Sequence, residues 1–317
     1  MGEKLFMKKI SSLQVDQITA VTAENFSAYP PAALEKDLHL TEIISYISKI
    51  NNPNTLLTFG GGTSLVKGYK LFDRMSEDLD FKLNLPASDS KNSKRKALGD
   101  LRDQLHDLLI SIDYEVKEVV SQNNNSYFAF ELSYQSQFEV GVSLRDYIKL
   151  EFTESVIQDT PSVLKIETLL STAIKEEETK TEFPCVSLSQ TAAEKVLSFL
   201  IRFNPHPESR GDDYDERIVR HLHDLYFLTQ DPNVELKTAQ IFDEVLQEDI
   251  KRFSGLASEL GSNPKKRLLE KLNETDRSHI MEREYGEFVL DLTLGHSPTI
   301  DEAKSAFLRM ALLCLKD

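Results

Sequence analysis

The sequence predicts an α+β protein in two parts: an N-terminal domain built on a mixed sheet flanked by helices, and a C-terminal helical domain. Three observations carry this. The first half interleaves short strand-like runs with segments of helical period. From Leu188 nearly to the end every long segment is helical in period. Between the two lies a charged stretch, KEEETKTEFP, that reads as a linker, so the domains are drawn as residues 1–180 and 181–317.

The elements follow in chain order. Residues 34–51 place Leu38, Leu40, Ile43, Ile44, Ile47 and Ile50 close to a helical period. NPNT breaks that helix and LLTF reads as a short buried strand. Gly60, Gly61 and Gly62 turn the chain, and TSLVKGYKLF resumes a helix that Thr63 or Ser64 can cap. EDLDFKLNL alternates, with Leu79, Phe81, Leu83 and Leu85 on one face and Asp78, Asp80, Lys82 and Asn84 on the other, which is a strand. A helix over about residues 94–112 comes next. Three strand-like runs follow it, YEVKEVV, SYFAFELSYQ and DYIKLEFTE, the first two joined by a hairpin-like NNNS. SVLKIETLL reads as a further extended segment. Beyond it six helical segments run from SQTAAEKVLSFLIRF to TIDEAKSAFLRMALLCL.

Composition excludes several classes. No run of eighteen apolar residues exists, so no membrane-spanning helix is expected, and the charged N-terminus lacks the apolar stretch of a signal peptide. Gly2 follows Met1, but Phe6 breaks the myristoylation pattern. Cys185 and Cys314, far apart in apolar surroundings, read as two buried thiols, consistent with a cytoplasmic protein. The net charge of −15 repels polyphosphate at long range and argues against a DNA duplex as partner. A nucleic acid would need a local basic patch. Lys91, Lys94, Arg95, Lys96 and Arg102 offer one, and read equally well as a solvated helix entry.

The chemistry concentrates in TFGGGTSLVKGYKLFDRMSEDLDFKL. It is not a P-loop, because Tyr69 and not Lys follows Gly68. It is not a dinucleotide fingerprint, because Leu65 stands where the third glycine belongs. Lys82 and Leu83 exclude a calcium-binding EF-hand loop. A strand, a glycine turn and a helix N-terminus gather backbone N–H groups at one point, which suits a phosphate. Asp78 and Asp80, two apart on a strand, project to one side, and carboxylates that close repel unless a cation lies between them. Mg²⁺ held by such carboxylates and by substrate phosphates fits, and two ions would activate an attacking oxygen and stabilise leaving pyrophosphate. Taken alone, Asp-x-Asp on a half-exposed strand is more often a wet face.

The combination of strand, Gly-Gly, hydroxyl pair, helix and Asp-x-Asp resembles the DNA polymerase β-like nucleotidyltransferase superfamily. More narrowly it resembles the AbiEii/AbiGii toxin family, nucleotidyltransferases of type IV toxin–antitoxin pairs. LEKDLHLTEII, FGGGTSLVKGY, RMSEDLDF, AAEKVLSFL and RHLHDLYFL carry the likeness, which spans about residues 34–230. It implies a polymerase-β-like core domain and a helical domain contributing Lys195 and Asp224 to the cleft. Asp78, Asp80 and a third carboxylate would be catalytic and hold one or two Mg²⁺. Glu151, alternating with Lys149, is the choice for the third, with Asp146 and Glu139 as rivals. Gly61, Gly62, Thr63, Ser64, Lys67, Arg74, Ser76 and Lys195 would contact the nucleotide. Asp224 would orient Lys195 or a nucleotide hydroxyl, with Arg220 as its i, i+4 partner. His221 and His223 point apart on a helix and make a poor zinc pair. The resemblance implies transfer of a nucleoside monophosphate from an NTP to an acceptor hydroxyl, with tRNA as acceptor and a cognate antitoxin as partner. The alternatives are transfer to a protein or small molecule, and an idle interaction module that kept the fold.

Overall fold

A computed structural model describes residues 7–50, 52, 55–86, 90–141, 144–176, 181–212, 214–276 and 279–316. Gly2, Phe6, Pro53, Asn54 and the middle of the charged linker lie outside the described residues. The chain divides into two compact units. The first takes the described residues of 1–70, 75–156 and 161–185; the second takes those of 71–74, 157–160 and 186–317.

The first unit is built on a seven-stranded mixed sheet ordered β3-β4-β5-β2-β1-β7-β6. Its strands are β1 (Leu56–Gly60), β2 (Asp78–Asn84), β3 (Glu115–Gln122), β4 (Tyr127–Ser133), β5 (Tyr147–Glu154), β6 (Ser162–Ile166) and β7 (Thr181–Cys185). β2 pairs antiparallel with β1 and parallel with β5, and β1 pairs parallel with β7. Its helices are α1 (Ser12–Ala23), α2 (Pro31–Ile47), α3 (Gly61–Lys67), α4 (Lys91–Ser111) and α5 (Leu169–Ile174). α1 begins at the capping box of Ser11 and Gln14, a signal the helical period of the sequence did not bring out.

Period 2 decides the sheet's two faces. Leu79, Phe81 and Leu83 of β2, Ile148, Leu150 and Phe152 of β5, and Phe128, Phe130 and Leu132 of β4 share one core with Leu40, Ile43, Ile44 and Ile47 of α2 and Leu98, Leu101, Leu105 and Leu109 of α4. Phe81, Phe152 and Phe128 stack in sequence, with ring centroids 5.0 and 4.9 Å apart. Each such ring contributes about 1.5–3 kcal/mol by leaving water. The alternate residues of β2 and β5 face away from that core.

Four expectations are corrected. The helix after the glycines starts at Gly61, so Thr63 and Ser64 sit inside it rather than capping it; it stops at Lys67, where Gly68 and Tyr69 both donate to the Ser64 carbonyl. The end of the charged linker, TEFPC, is strand β7, because Phe183 and Cys185 alternate into the core while β6 and β1 take its two edges. SVLKIETLL is a strand only to Ile166, and the Thr168 side chain then caps α5. DERIVRHLHDLYFLTQ begins with a 3₁₀ turn, Glu216–Val219, before its α-helix.

The second unit is helical: α6 (Leu188–Arg202), α7 (Arg220–Leu228), α8 (Pro232–Arg252), α9 (Ser254–Leu260), α10 (Pro264–Asp276), α11 (Ile280–Leu292) and α12 (Ile300–Leu315). The segment 71–74 belongs here, with Arg74 bridging to Thr293. Cys185 and Cys314 are free buried thiols, and burial pushes each up to about 12.

Candidate active site

Asp78 and Asp80 lie on the face of β2 opposite the core, and both are partly exposed. In the parallel ladder Asp80 is level with Glu151 of β5 and Asp78 with Lys149. Neighbouring strands run about 4.8 Å apart, so the three acids share one patch of sheet. Asp146 and Glu139, the rivals of Glu151, are exposed and lie outside the β2–β5 ladder.

Every carboxylate of the patch has an identifiable neighbour. Arg145 Nη1 pairs with Asp78 Oδ1 at 2.7 Å. Lys149 Nζ pairs with Glu151 Oε1 at 3.1 Å, and the Tyr127 hydroxyl donates to the same oxygen at 2.5 Å. Burial pushes the Tyr127 phenol above its ordinary range, and Glu151, Asp80 and Asp78 add to the push. Burial works against the Lys149 ammonium, but Glu151 outweighs it and the group is held above its usual value. Asp80 lies against Gly61: a Cβ built there would stand 1.9 Å from Asp80 Oδ2. Gly61 also has φ +67°, which a side chain disfavours. The glycine is therefore required twice at one point.

The hydroxyls and Lys67 have structural partners. Thr63 Oγ1 donates to the Asp78 carbonyl at 2.5 Å and lies 2.7 Å from Ser76 Oγ, tying α3 to the entry of β2. Ser64 Oγ donates to the Gly61 carbonyl at 2.9 Å. Gly62 is partly exposed in the first turn of α3. Lys67 is buried and paired with Asp37 of α2, so its charge joins two helices. Lys36, also buried on α2, holds Glu77 at 2.6 Å; Glu77 accepts the Arg145 backbone N–H at 2.8 Å. Asp78 is thus flanked by a residue clasped to Arg145. The basic cluster sits at the start of α4, the helix that packs on the opposite, apolar face; Lys94 pairs there with Glu154 and Arg102 with Asp103.

The second unit holds a separate charged cluster. Asp224 on α7 is 0% exposed. Arg74 takes it with two parallel bonds, Nε to Oδ1 and Nη2 to Oδ2, each 2.8 Å. Lys195 of α6 reaches Oδ2 at 2.8 Å. Burial opposes the Asp224 charge, but Arg74 and Lys195 outweigh it and hold the carboxyl well below its usual range. Burial lowers the Lys195 ammonium, with Asp224 opposing that and Arg74 adding to it. His223 lies 3.3 Å from Asp224 Oδ1 among Phe72, Phe227 and Phe288, and burial lowers it too. Arg220 does not pair with Asp224: it turns outward to Asp215 at 3.4 Å, because the Asp224 oxygens face the buried side of α7.

Sequence reasoning missed Tyr127, Arg145, Lys36 and Glu77. Lys149 was visible as the alternation partner of Glu151. Arg145 had no signal, since it lies in a loop and gains meaning only beside Asp78. Among the described residues no three histidines, cysteines or acids already converge as a ready metal cluster. The donors of the patch are nonetheless hard carboxylate oxygens on one strand face. That suits a divalent ion held by one or two carboxylates together with substrate phosphates.

A mixed sheet with acids beside a glycine turn defines a class, and comparison with known proteins supplies it. A family model described as nucleotidyl transferase AbiEii toxin, type IV TA system, matches residues 50–307. The chain is a nucleotidyltransferase, and it belongs to the AbiEii toxin family. MenT4, a nucleotidyltransferase toxin from Mycobacterium tuberculosis H37Rv, has a similar fold: TM-score 0.61 and 16% identity, over 96% of this chain and 88% of that one. No curated protein matches the chain. Membership implies an NTP substrate, an antitoxin partner and, as is usual for nucleotidyltransferases, a divalent ion. Among the described residues no helix is long and apolar enough to cross a membrane.

Proposed function

We propose that the chain moves a nucleoside monophosphate from an NTP to a hydroxyl of tRNA in the cytoplasm, with Mg²⁺ held by Asp78, Asp80 and Glu151. The acceptor oxygen bonds to the α-phosphorus, the bond to the β-phosphate oxygen breaks, and pyrophosphate leaves. The observation that carries this is the register placing Asp80 level with Glu151, two residues from Asp78 and against Gly61. One or two bound ions would activate the attacking oxygen and screen the leaving pyrophosphate. Glu151, oriented by Tyr127 and Lys149, is the group that takes the hydroxyl proton. Gly61 and Gly62 allow the close approach of a phosphate, with Thr63, Ser64 and Ser76 fixing the turn. In the second unit, Asp224 fixes Arg74 and Lys195 as a rigid cationic pair for nucleotide phosphates.

One observation favours a second acceptor class. The net charge is −15, and the basic cluster of α4 lies on the helix covering the apolar face, away from the acids. A protein or small molecule would meet less repulsion than tRNA. Labelled NTPs incubated with total RNA, protein and metabolite pools separate the two. Label is expected in small RNA, abolished by EDTA and reduced by ~10²-fold or more in Asp80→Ala. Label confined to protein or metabolites removes the tRNA reading; undiminished labelling by Asp80→Ala removes the whole assignment.

A further inference from the structure

Arg145 is placed with more care than a surface arginine needs. Its backbone is held at both polar groups by one buried pair: its N–H donates to Glu77 Oε2 at 2.8 Å, and its carbonyl accepts from Lys36 Nζ at 2.9 Å. Lys36 and Glu77 are themselves paired at 2.6 Å, with side chains 1% and 7% exposed. The pivot is fixed while the side chain beyond it is one-third exposed, and that side chain ends on Asp78 at 2.7 Å. A buried ion pair is a costly way to hold a loop, and here it fixes where a guanidinium is delivered.

We propose that Arg145 is a resident counter-ion of Asp78 that a divalent cation must displace, so that the ion enters efficiently only with the negative charge of the NTP. This rests on the reading of Asp78 and Asp80 as ion ligands. The charges of the patch give the reason. Asp78, Asp80 and Glu151 carry three negative charges, offset by Arg145 and Lys149 and, further along the same face of β2, by Lys82, so the bare patch attracts a divalent ion weakly. A triphosphate restores the deficit and offers the guanidinium new acceptors. Without Arg145 the patch is more negative and holds the ion unaided.

The test is Mn²⁺ titration of the nucleotide-free full chain, with free ion read by electron paramagnetic resonance. Wild type, Arg145→Ala, Arg145→Lys and Asp78→Asn are compared. Arg145→Ala is expected to bind Mn²⁺ more tightly by about tenfold. Arg145→Lys, which keeps the charge without the fork, is expected to lie between it and wild type. Structural damage would weaken binding, so tightening is not what a merely structural role predicts. If wild type binds, Asp78→Asn does not, and Arg145→Ala matches or falls below wild type, the displacement role is wrong while the ion site stands. If neither wild type nor Arg145→Ala binds Mn²⁺, the ion site fails and the inference falls with it.

Discussion

Gly61 meets Asp80 so closely that no other residue fits without moving the acid. Gly61→Ala would strain a left-handed backbone by about 1–2 kcal/mol. It would also push the carboxylate away, and a displacement of 1 Å at a reacting centre costs roughly a hundredfold. The variant is therefore expected to lose nucleotide incorporation far more than melting temperature, both measured on one preparation. His39 makes the opposite case, a titratable group placed for stability. Its Nδ1 lies 2.8 Å from the Tyr114 hydroxyl, which itself donates to Glu42 at 3.1 Å, so Nδ1–H donates to the phenol oxygen. Burial, helped by Lys8, pulls its pKa down to about 3. The unfolded chain takes up its proton near pH 6.5, so between these values the unfolded state binds more protons. Folded stability falls as pH drops through that window and is free of the penalty above it. His39→Gln is expected to have a shallower slope of stability against pH from 6.5 to 4, read by urea unfolding; an unchanged slope contradicts the assignment.

At the scale of elements, α2 joins the first unit together through charges as well as through its apolar stripe. Asp37 accepts from buried Lys67 of α3 and from the Leu169 N–H that opens α5 at 2.7 Å. Asp37→Ala would strand a buried ammonium, and a loss of about 3–5 kcal/mol is expected by chemical denaturation. What was legible in the sequence follows the same division. β2 and β5 were readable because one face of each is buried, which forces strict alternation. α2 was readable because Ile43, Ile44 and Ile47 return at helical spacing, but helical period carries no sign that its Glu35, Lys36, Asp37 and His39 are buried as well. β7 was hidden because only Phe183 and Cys185 of its five residues are buried and acids surround it. At the candidate site, Asp78, Asp80 and Gly61 were visible as a local motif. Of the partners of Asp224, Lys195 came with the family resemblance but Arg74 did not: it is 150 residues away, and local spacing favoured Arg220 instead.

At the scale of the whole molecule, the surplus of 52 acidic over 37 basic residues must be set against an RNA acceptor. Any RNA contact has to come from a local cluster, and its affinity is then expected to fall steeply with salt. The two units are also not two uninterrupted halves of the sequence. Leu71–Arg74 and Ile157–Thr160 leave the sheet unit to join the helical one, after which the chain returns. Gln158 is held there by the Gln190 side chain at 2.9 Å, and Arg74 by Asp224. The gene therefore has no seam near codon 186. A fragment 186–317 would leave Asp224 without its guanidinium, and it is expected to melt well below the intact protein when followed by circular dichroism. Truncation mapping, the ordinary route to assigning activities to halves of an enzyme, would here report lost folding as lost function. A deletion that silences this toxin cannot by itself locate its chemistry.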